Sequence, residues 1–439
     1  MKLINKDKDT LIYKSGNTYV RSTKHKYIDY TNKCKIDFLD RFIEEYRRVI
    51  NMLLFELWDM KYIKNQHEFY LKHGYIKNGL PPYLNVSDFN CLKNYNGFLS
   101  GRMLSQILKD LMGIIRGLYK SAKSNKDRIK KKKDSNGVEI LNLTRPNLSN
   151  INPEIAPKHI NIIENPNGNS IMDYYIKFVN LTNTKNENTI VPIILTPMDL
   201  KFINNDFDTK GSIFLTKRDI ILRYEKTPIP PSTKGKTTVG GDIGMNKILT
   251  ISNGEDVVQT TPKKDSQEKD LVTLMDKAKR KKKGSKAYKR TTREIEVFTQ
   301  EVMNKLDFSL IHTLRLESNK GLKKNTGNAN HNWKTQTITD KVLRMCQDNQ
   351  VDYLAVPAAY KSQRCFPCHF VHRNNRKGEK FKCLNCGHIN DADVISASNS
   401  SFNLPQNNLW SFAKQNRDSG FFWGVDGLKT GSHVSPDKK

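Results

Sequence analysis

The chain has 439 residues, with 74 Lys and Arg against 45 Asp and Glu, a formal net charge of +29. That length allows two to four domains with hydrophobic cores of their own, and no run approaches the roughly 18 uninterrupted apolar residues of a membrane span. So large a positive excess repels itself in a compact fold unless a polyanion neutralises it, which points to nucleic acid as partner; codon bias toward Lys and Asn is the competing explanation. The start, MKLINKDKDT, has no apolar centre of the signal-peptide kind, so the expectation is a cytoplasmic, nucleoid-associated protein that is neither secreted nor membrane-bound.

Residues 10–30 alternate weakly around Gly16-Asn17 and predict short strands. From Phe38 the apolar residues recur at three and four, through Phe42, Tyr46, Val49, Leu53 and Leu57, which predicts an amphipathic helix. Leu104, Ile107, Leu108, Leu111, Ile115 and Leu118 predict a second helix over 99–123. It runs into KSNKDRIKKKKDSNG, read either as a solvated loop or as a phosphate contact. From 140 to 226 helical periodicity fades, and SIMDYYIKFVNL, TIVPIIL and GSIFLTKRDIILRYE read as strands of a β-rich module. The segment EKTPIPPSTKGK, with Pro228, Pro230 and Pro231, is the clearest linker and marks the main domain boundary.

Past the linker, TTVGGDIGMNKILTISNG predicts a strand over Val239–Asp242, a tight turn at Gly244 and a returning strand over Ile248–Ile251. Asp242 is a candidate metal ligand, although Asp-x-Gly by itself is common in turns. A basic helix, a break at Gly284-Ser285 and a second helix with Ile295, Phe298, Val302 and Leu306 on one face come next. Lys279, Arg280, Lys281, Lys282, Lys283, Lys286, Lys289 and Arg290 form a cationic ridge able to lie along a phosphate backbone, with a solvated face as the alternative. The strand SLIHTLRLES delivers Glu317 at its end, on the face shared by Arg315 and Thr313. A helix around 335–348 and a buried strand over Tyr353–Val356 lead into the cysteines.

Cys365-x2-Cys368, fourteen residues, then Cys383-x2-Cys386 is zinc-ribbon spacing. Four thiolates close a tetrahedral site and leave no open position for chemistry, so the metal expected there is structural Zn²⁺. His369, His372 and His388 stand nearby, as reserves or as supports for the knuckle. Cys34, Cys91 and Cys346 are scattered, which is no disulfide framework and suits a reducing compartment. Asp391 and Asp393 follow within seven residues of the last cysteine.

In order, VGGDIGMNK, KRKKKGSKAYKR, a strand-end Glu, YKSQRCFPC, CLNCG and DADVISASN resemble TnpB, the transposon-associated RNA-guided nuclease family ancestral to compact type V CRISPR effectors. The resemblance covers roughly 236–403; the N-terminal half matches in layout only. It implies a multidomain α+β fold. A β-rich wedge module would span 1–33 and 140–227, with a helical recognition module over 34–139. An RNase H-like, RuvC-type α/β nuclease domain would span 236–360 and 391–439, with a zinc ribbon inserted over 361–390. The acidic triad carried over is Asp242, Glu317 and Asp393, holding Mg²⁺ or Mn²⁺ for two-metal hydrolysis of DNA phosphodiesters, while Asp391 caps the last helix. Guide RNA and DNA, double- and single-stranded, are the implied partners, with monomer or homodimer left open. A nuclease-dead RNA-guided repressor and a guide-independent resolvase or transposase are the alternatives. The chain departs from the family pattern at Arg315, where an apolar residue is usual, and at Ile395-Ser396-Ala397, where Asn-Ala-Ala is usual, though Asn399 is kept. It also has Lys361 in place of Thr and His369 in place of Gly.

Overall fold

Strand β1 (Thr10–Tyr13) does not pair with the next strand, β2 (Tyr19–Lys26). In this computed structural model the described residues are 9–59, 85–93, 95–124, 132–133, 139–140, 145–165, 174–184, 189–208, 212–230, 232, 236–244, 247–318 and 329–431. The chain divides into two units, one spanning 18–226 and the other joining the N-terminal residues through Asn17 to Thr227 onward. The break falls in the proline-bearing segment after Lys226. Most of the basic stretch 123–137, together with Met245, Asn246, Pro231 and 233–235, lies outside the described residues.

In the unit spanning 18–226, helix α1 (Lys33–Asp59) is followed by α2 (Gly101–Ser124). Short strands β3 (Glu154–Ile155), β4 (Ile160–Glu164), β5 (Tyr174–Phe178) and β6 (Thr189–Ile193) come next. Helix α3 (Pro197–Asn204), strand β7 (Ile213–Leu215) and strand β8 (Asp219–Lys226) complete the unit. Two antiparallel sheets result, one ordered β2-β8-β7-β3 and one β4-β5-β6. The apolar stripes of α1 and α2 (Phe42, Tyr46, Leu53; Ile107, Leu111, Ile115) bury in one cluster with Ile176, Val191, Ile220 and Tyr224 from the strands. The helical and β-rich modules expected as separate therefore share one core, because neither stripe nor sheet face can be shielded from water alone. Helix α3 falls between two of the segments read as strands, in a stretch where helical periodicity fades; Thr196 caps it, accepting from Asp199 N, with Pro197 at its first position.

The other unit is built on a six-stranded sheet ordered β1-β13-β12-β9-β10-β11. Its strands are β9 (Thr237–Asp242), β10 (Thr250–Ser252), β11 (Val258–Thr260), β12 (Ile311–Glu317) and β13 (Asp352–Val356). Strands β9, β12 and β13 run parallel, while β10 and β11 return antiparallel, leaving β9 and β12 at the centre. Strand β1 adds antiparallel to β13, with Thr10 opposite Ala355 and Tyr13 opposite Tyr353. That corrects the grouping of 1–33: residues 10–13 belong to this sheet. Alternating apolarity marks a strand but not its sheet, and the edge is chosen here by Asp352 and Gln350, which accept from the N–H groups of Ser15 and Gly16 at 2.7 and 2.8 Å. Helices α4 (Leu271–Lys279), α5 (Lys286–Met303) and α6 (Ala329–Asn349) cover the sheet, burying Leu274, Phe298, Val302, Ile338 and Val342. The expected basic helix is corrected as well. α4 stops at Lys279, residues 280–285 form a turn with Gly284 at φ +85°, and Ser285 caps α5.

Between β13 and the next long element lie β14 (Phe370–Val371), β15 (Arg376–Lys377), β16 (Lys380–Lys382) and β17 (Ile389–Asp391), then helix α7 (Ala392–Ser400). Helix α8 (Leu409–Gln415) and strands β18 (Phe421–Gly424) and β19 (Gly427–Thr430) finish the described chain. Strands β14, β18 and β19 form one sheet, and Val371 buries with Leu404, Leu409 and Trp423. The tail, grouped with the nuclease domain in the expected 391–439, thus packs on the cysteine module. Among the described residues no helix is long and apolar enough to cross a membrane.

Candidate active site and metal centre

Parallel pairing sets Gly241 opposite Leu316, so the next residues, Asp242 and Glu317, emerge side by side at the carboxyl ends of β9 and β12. Helix α7 lies across that point because Gly240 has no side chain. A Cβ there would sit 1.9 Å from the Ala397 carbonyl oxygen and 2.4 Å from the Ser401 nitrogen. The helix presents residues three and four apart on one face. Ser396 and Ser400 both donate to Glu317 Oε1, at 2.9 and 3.1 Å, and Asp393 lies one turn earlier. The turn after β9 closes against the same place, since a Cβ on Gly244 would lie 3.5 Å from Asp393 Oδ2.

Asp391 and Asp393 separate clearly. Asp391 is the helix cap, accepting from the N–H groups of Asp393 (2.9 Å) and Val394 (3.4 Å), and its other oxygen meets Lys247. Asp393 is buried in the first turn, with Arg376 of the ribbon 3.7 Å away.

Burial is the first reason the Asp242 carboxyl is pushed well above the usual range, and the negative charges of Glu317 and Asp393 are the next. Burial raises Glu317, opposed by Lys361 and the two serines, and raises Asp393, helped by Asp391 and opposed by Arg376 and Lys247. Two buried acids, Glu317 and Asp393, stand beside the half-buried Asp242, and all three resist ionisation, a donor set of the kind that suits a hard cation. Thr250 pairs directly opposite Asp242, is wholly buried, and has a hydroxyl without a partner. The donor set therefore fits Mg²⁺ or Mn²⁺. The three carboxylates do not all converge within 4.8 Å, which the four cysteines alone do among the described residues. Sharing two ions roughly 4 Å apart needs no such convergence.

The cysteines form two matched knuckles. The carbonyls of Cys365 and Cys383 accept from the N–H groups of His369 and Gly387, each at 3.0 Å. In turn Cys365 and Cys383 donate to the carbonyls of Phe370 and His388, each at 2.8 Å. Both turning residues are left-handed, His369 at φ +65° and Gly387 at +73°. Cys365 Sγ lies 3.5 Å from Cys386 Sγ, as Cys368 Sγ does from Cys383 Sγ. A tetrahedron with bonds of about 2.3 Å has edges near 3.8 Å, so the four thiols fit one Zn²⁺. Of the three histidines, His369 makes the turn and His372 accepts from Asn374 N, and none of the three joins the four converging thiols.

The departures from the family pattern have structural explanations. Arg315 pairs with Asp9, ahead of β1, and donates to the Ser400 carbonyl at 3.2 Å. Ser396 binds Glu317. Asn399, fully buried, donates to the carbonyls of Lys361 (2.8 Å) and Arg364 (2.7 Å), tying α7 to the start of the ribbon. Lys361 is 2% exposed, and burial holds its ammonium down to about 8 against the pull of Glu317. Ser396, Ser400, Arg376 and Lys247 were missed from sequence. The serine pair had a legible signal, the spacing of three and seven from Asp393, whereas Arg376 and Lys247 had none. No described contact joins the lysine ridge to the carboxylates: Lys279 pairs with Asp276, Lys281 donates to Thr291, and Lys282, Lys283, Lys286, Lys289, Arg280 and Arg290 are exposed.

Residues 336–400, which span most of α6, strand β13, the cysteine module and α7, match the family model "Cas12f1-like, TNB domain". A curated relative, the CRISPR-associated endodeoxyribonuclease Cas12f1 of Syntrophomonas palmitatica, is 27% identical over 78 residues, 17% of this chain and 16% of the relative. The match thus spans about a sixth of that relative's length. The solved Cas12f1–sgRNA–target DNA complex superposes with a TM-score of 0.52 at 15% identity, over 85% of this chain and 83% of that one. Family model, curated relative and fold agree with the motifs: the chain resembles the compact type V CRISPR effectors.

Proposed function

We propose that the chain is an RNA-guided DNA endonuclease of the compact type V kind. The unit joining Asn17 to Thr227 onward is its RuvC-like nuclease, with the cysteine module as a zinc ribbon. The unit spanning 18–226 acts as wedge and recognition modules for a guide RNA. The observation that carries this reading is the meeting of Asp242, Glu317 and Asp393, far apart in sequence, at the carboxyl ends of β9 and β12 and the first turn of α7. The match of 336–400 to a family whose curated relative is named an endodeoxyribonuclease supports it.

Divalent Mg²⁺ or Mn²⁺, when bound, supplies Lewis-acid activation of water and stabilises the leaving 3′ oxygen of a phosphodiester. The three carboxylates hold it, and the rest of the site keeps them aimed. Ser396 and Ser400 fix the orientation of Glu317 with two hydrogen bonds to one oxygen. Asp391 and Lys247 hold the N-terminal turn of α7, and with it Asp393. Gly240 sets the depth at which the helix lies. The thiolate site, closed by four soft ligands, is separate and structural.

The experiment is reconstitution. Protein purified from a host carrying the native locus should bring down one discrete RNA. With it the protein should cut DNA complementary to that RNA only when Mg²⁺ is present. Target binding without cutting would replace this reading with the repressor, and cutting without RNA would replace it with the resolvase.

A further inference from the structure

A cavity of about 610 Å³ opens between the cysteine module and α8, remote in sequence from β9 and β12. One wall carries Tyr360, His372 and Arg373; the other carries Trp410, Lys414 and Arg417. Trp410 and Lys414, four apart, share one side of α8, and Arg417 follows in the turn after it. Trp410 keeps 63% of its surface exposed although it lines a concavity. Tyr360 packs against it at a tilt, ring centroids 5.4 Å apart, and is itself braced by Phe421 at 6.2 Å. A single exposed indole on a surface is unremarkable. This one stands in a pocket with three cations at its rim. Arg373 is paired with Asp418, while neither Lys414 nor Arg417 has an ion-pair partner among the described residues. The His372 ring is held by Asn374 N and by the Asp418 carbonyl, leaving its face as wall.

We propose that this cavity binds one unpaired nucleotide of a single strand, its base stacked on Trp410 and the neighbouring phosphates held by Lys414 and Arg417. The inference rests on reading the chain as a nucleic-acid enzyme but places a site apart from the carboxylates. Volumes of about 300–1,000 Å³ suit ligands of this size. An aromatic face beside unpaired cations is the chemistry of sequence-tolerant single-strand binding, because every base has a π-face. A paired base cannot offer that face, so a duplex is the wrong occupant.

The test uses the full-length purified protein and fluorescein-labelled oligo-dT, oligo-U and a duplex of equal length, read by anisotropy. Trp410→Ala should weaken single-strand binding roughly 5- to 150-fold, the loss expected for one stacked base, and leave the duplex unchanged. The larger loss, with oligo-dT or with oligo-U, assigns the pocket to DNA or to RNA. Trp410→Phe should bind within about twofold of the parent, since a ring is kept, yet lose the quenching of tryptophan fluorescence by added oligonucleotide. Lys414→Ala with Arg417→Ala should flatten the salt dependence by about 1.4 in log–log slope, from roughly 0.7 per phosphate, whereas Trp410→Ala leaves the slope alone. Unchanged affinity in Trp410→Ala, an equal loss for duplex, or quenching that survives Trp410→Phe would each overturn the site. A chain that shows these losses but never cuts DNA keeps this pocket and discards only the nuclease reading.

Discussion

The cysteine module and the carboxylate cluster, both proposed here as metal sites, lie in one unit and are built in opposite ways. The four thiols come from 22 consecutive residues, Cys365 to Cys386, on two turns with the same hydrogen bonds. The three carboxylates come from positions 242, 317 and 393 and meet only because two parallel strands and one helix are packed in register. Soft ligands at short spacing can organise themselves around their ion, and in small metal modules binding and folding are one event. Hard carboxylates that must stay open to substrate need a scaffold that exists without the ion. Removing a thiol should therefore break structure, while removing a carboxylate should break chemistry and spare structure.

The largest effect tests the second half of that contrast. Asp242→Ala, Glu317→Ala and Asp393→Ala should each reduce Mg²⁺-dependent cleavage below detection while leaving guide-dependent target binding nearly intact. Asp391→Ala should keep substantial activity and cost only about 1 kcal/mol of stability, the loss of a helix cap, so all four belong in one assay against one target. A dead Asp391→Ala beside an active Asp393→Ala would reverse the assignment of the third ligand. A readout without cleavage follows from burial. Because the Asp242 carboxyl is raised, its ionised form is costly in the folded state at neutral pH. Asp242→Asn should raise the melting temperature in EDTA at pH 7, and the gain should shrink as pH falls and the parent carboxyl takes up its proton.

Next in size is Cys383→Ser, which should lose zinc by elemental analysis and melt the cysteine module and tail before the rest. Retained zinc would refute a four-thiolate site. Gly240→Ala probes the scaffold between the two sites. Its Cβ would overlap the backbone of α7, which no side-chain rotation relieves, so a loss of at least about 3 kcal/mol is expected. Zinc content should survive, since the knuckles close locally. The smallest effect compares the knuckles with each other. His369 occupies a left-handed conformation that Gly387 adopts without strain. His369→Gly should stabilise by about 0.5–1 kcal/mol, the left-handed penalty less the larger unfolded entropy of glycine; destabilisation would mean the imidazole packs usefully against its surroundings.

Much of this was legible in residues 33–59, 101–124 and 311–317, where apolar spacing read the elements nearly to their ends. The capping role of Asp391 came through the resemblance, which gives the ligand position to Asp393 and leaves Asp391 to cap the helix, as it does. Strand β1 was read as a strand but grouped with the wrong partner, and the break at Gly284-Ser285 was read where it falls, but the lysines before it were read as helix although that helix stops at Lys279. Arg315 looked like a defect beside Glu317; its partner, Asp9, is 306 residues away and invisible to any local pattern.

By itself the sequence determined what depends on neighbours along the chain: the amphipathic helices, the proline-bearing boundary, the paired Cys-x2-Cys turns and a charge that demands a polyanion. Only the tertiary structure decided which strands share a sheet, that α7 rests on Gly240, and that Asp242, Glu317 and Asp393 face one another with Ser396 and Ser400 holding one of them. Local pattern reports the energy of a residue with its near neighbours. The chemistry of buried charge depends on which distant groups the packed fold forces together, and that is settled by register and close approach.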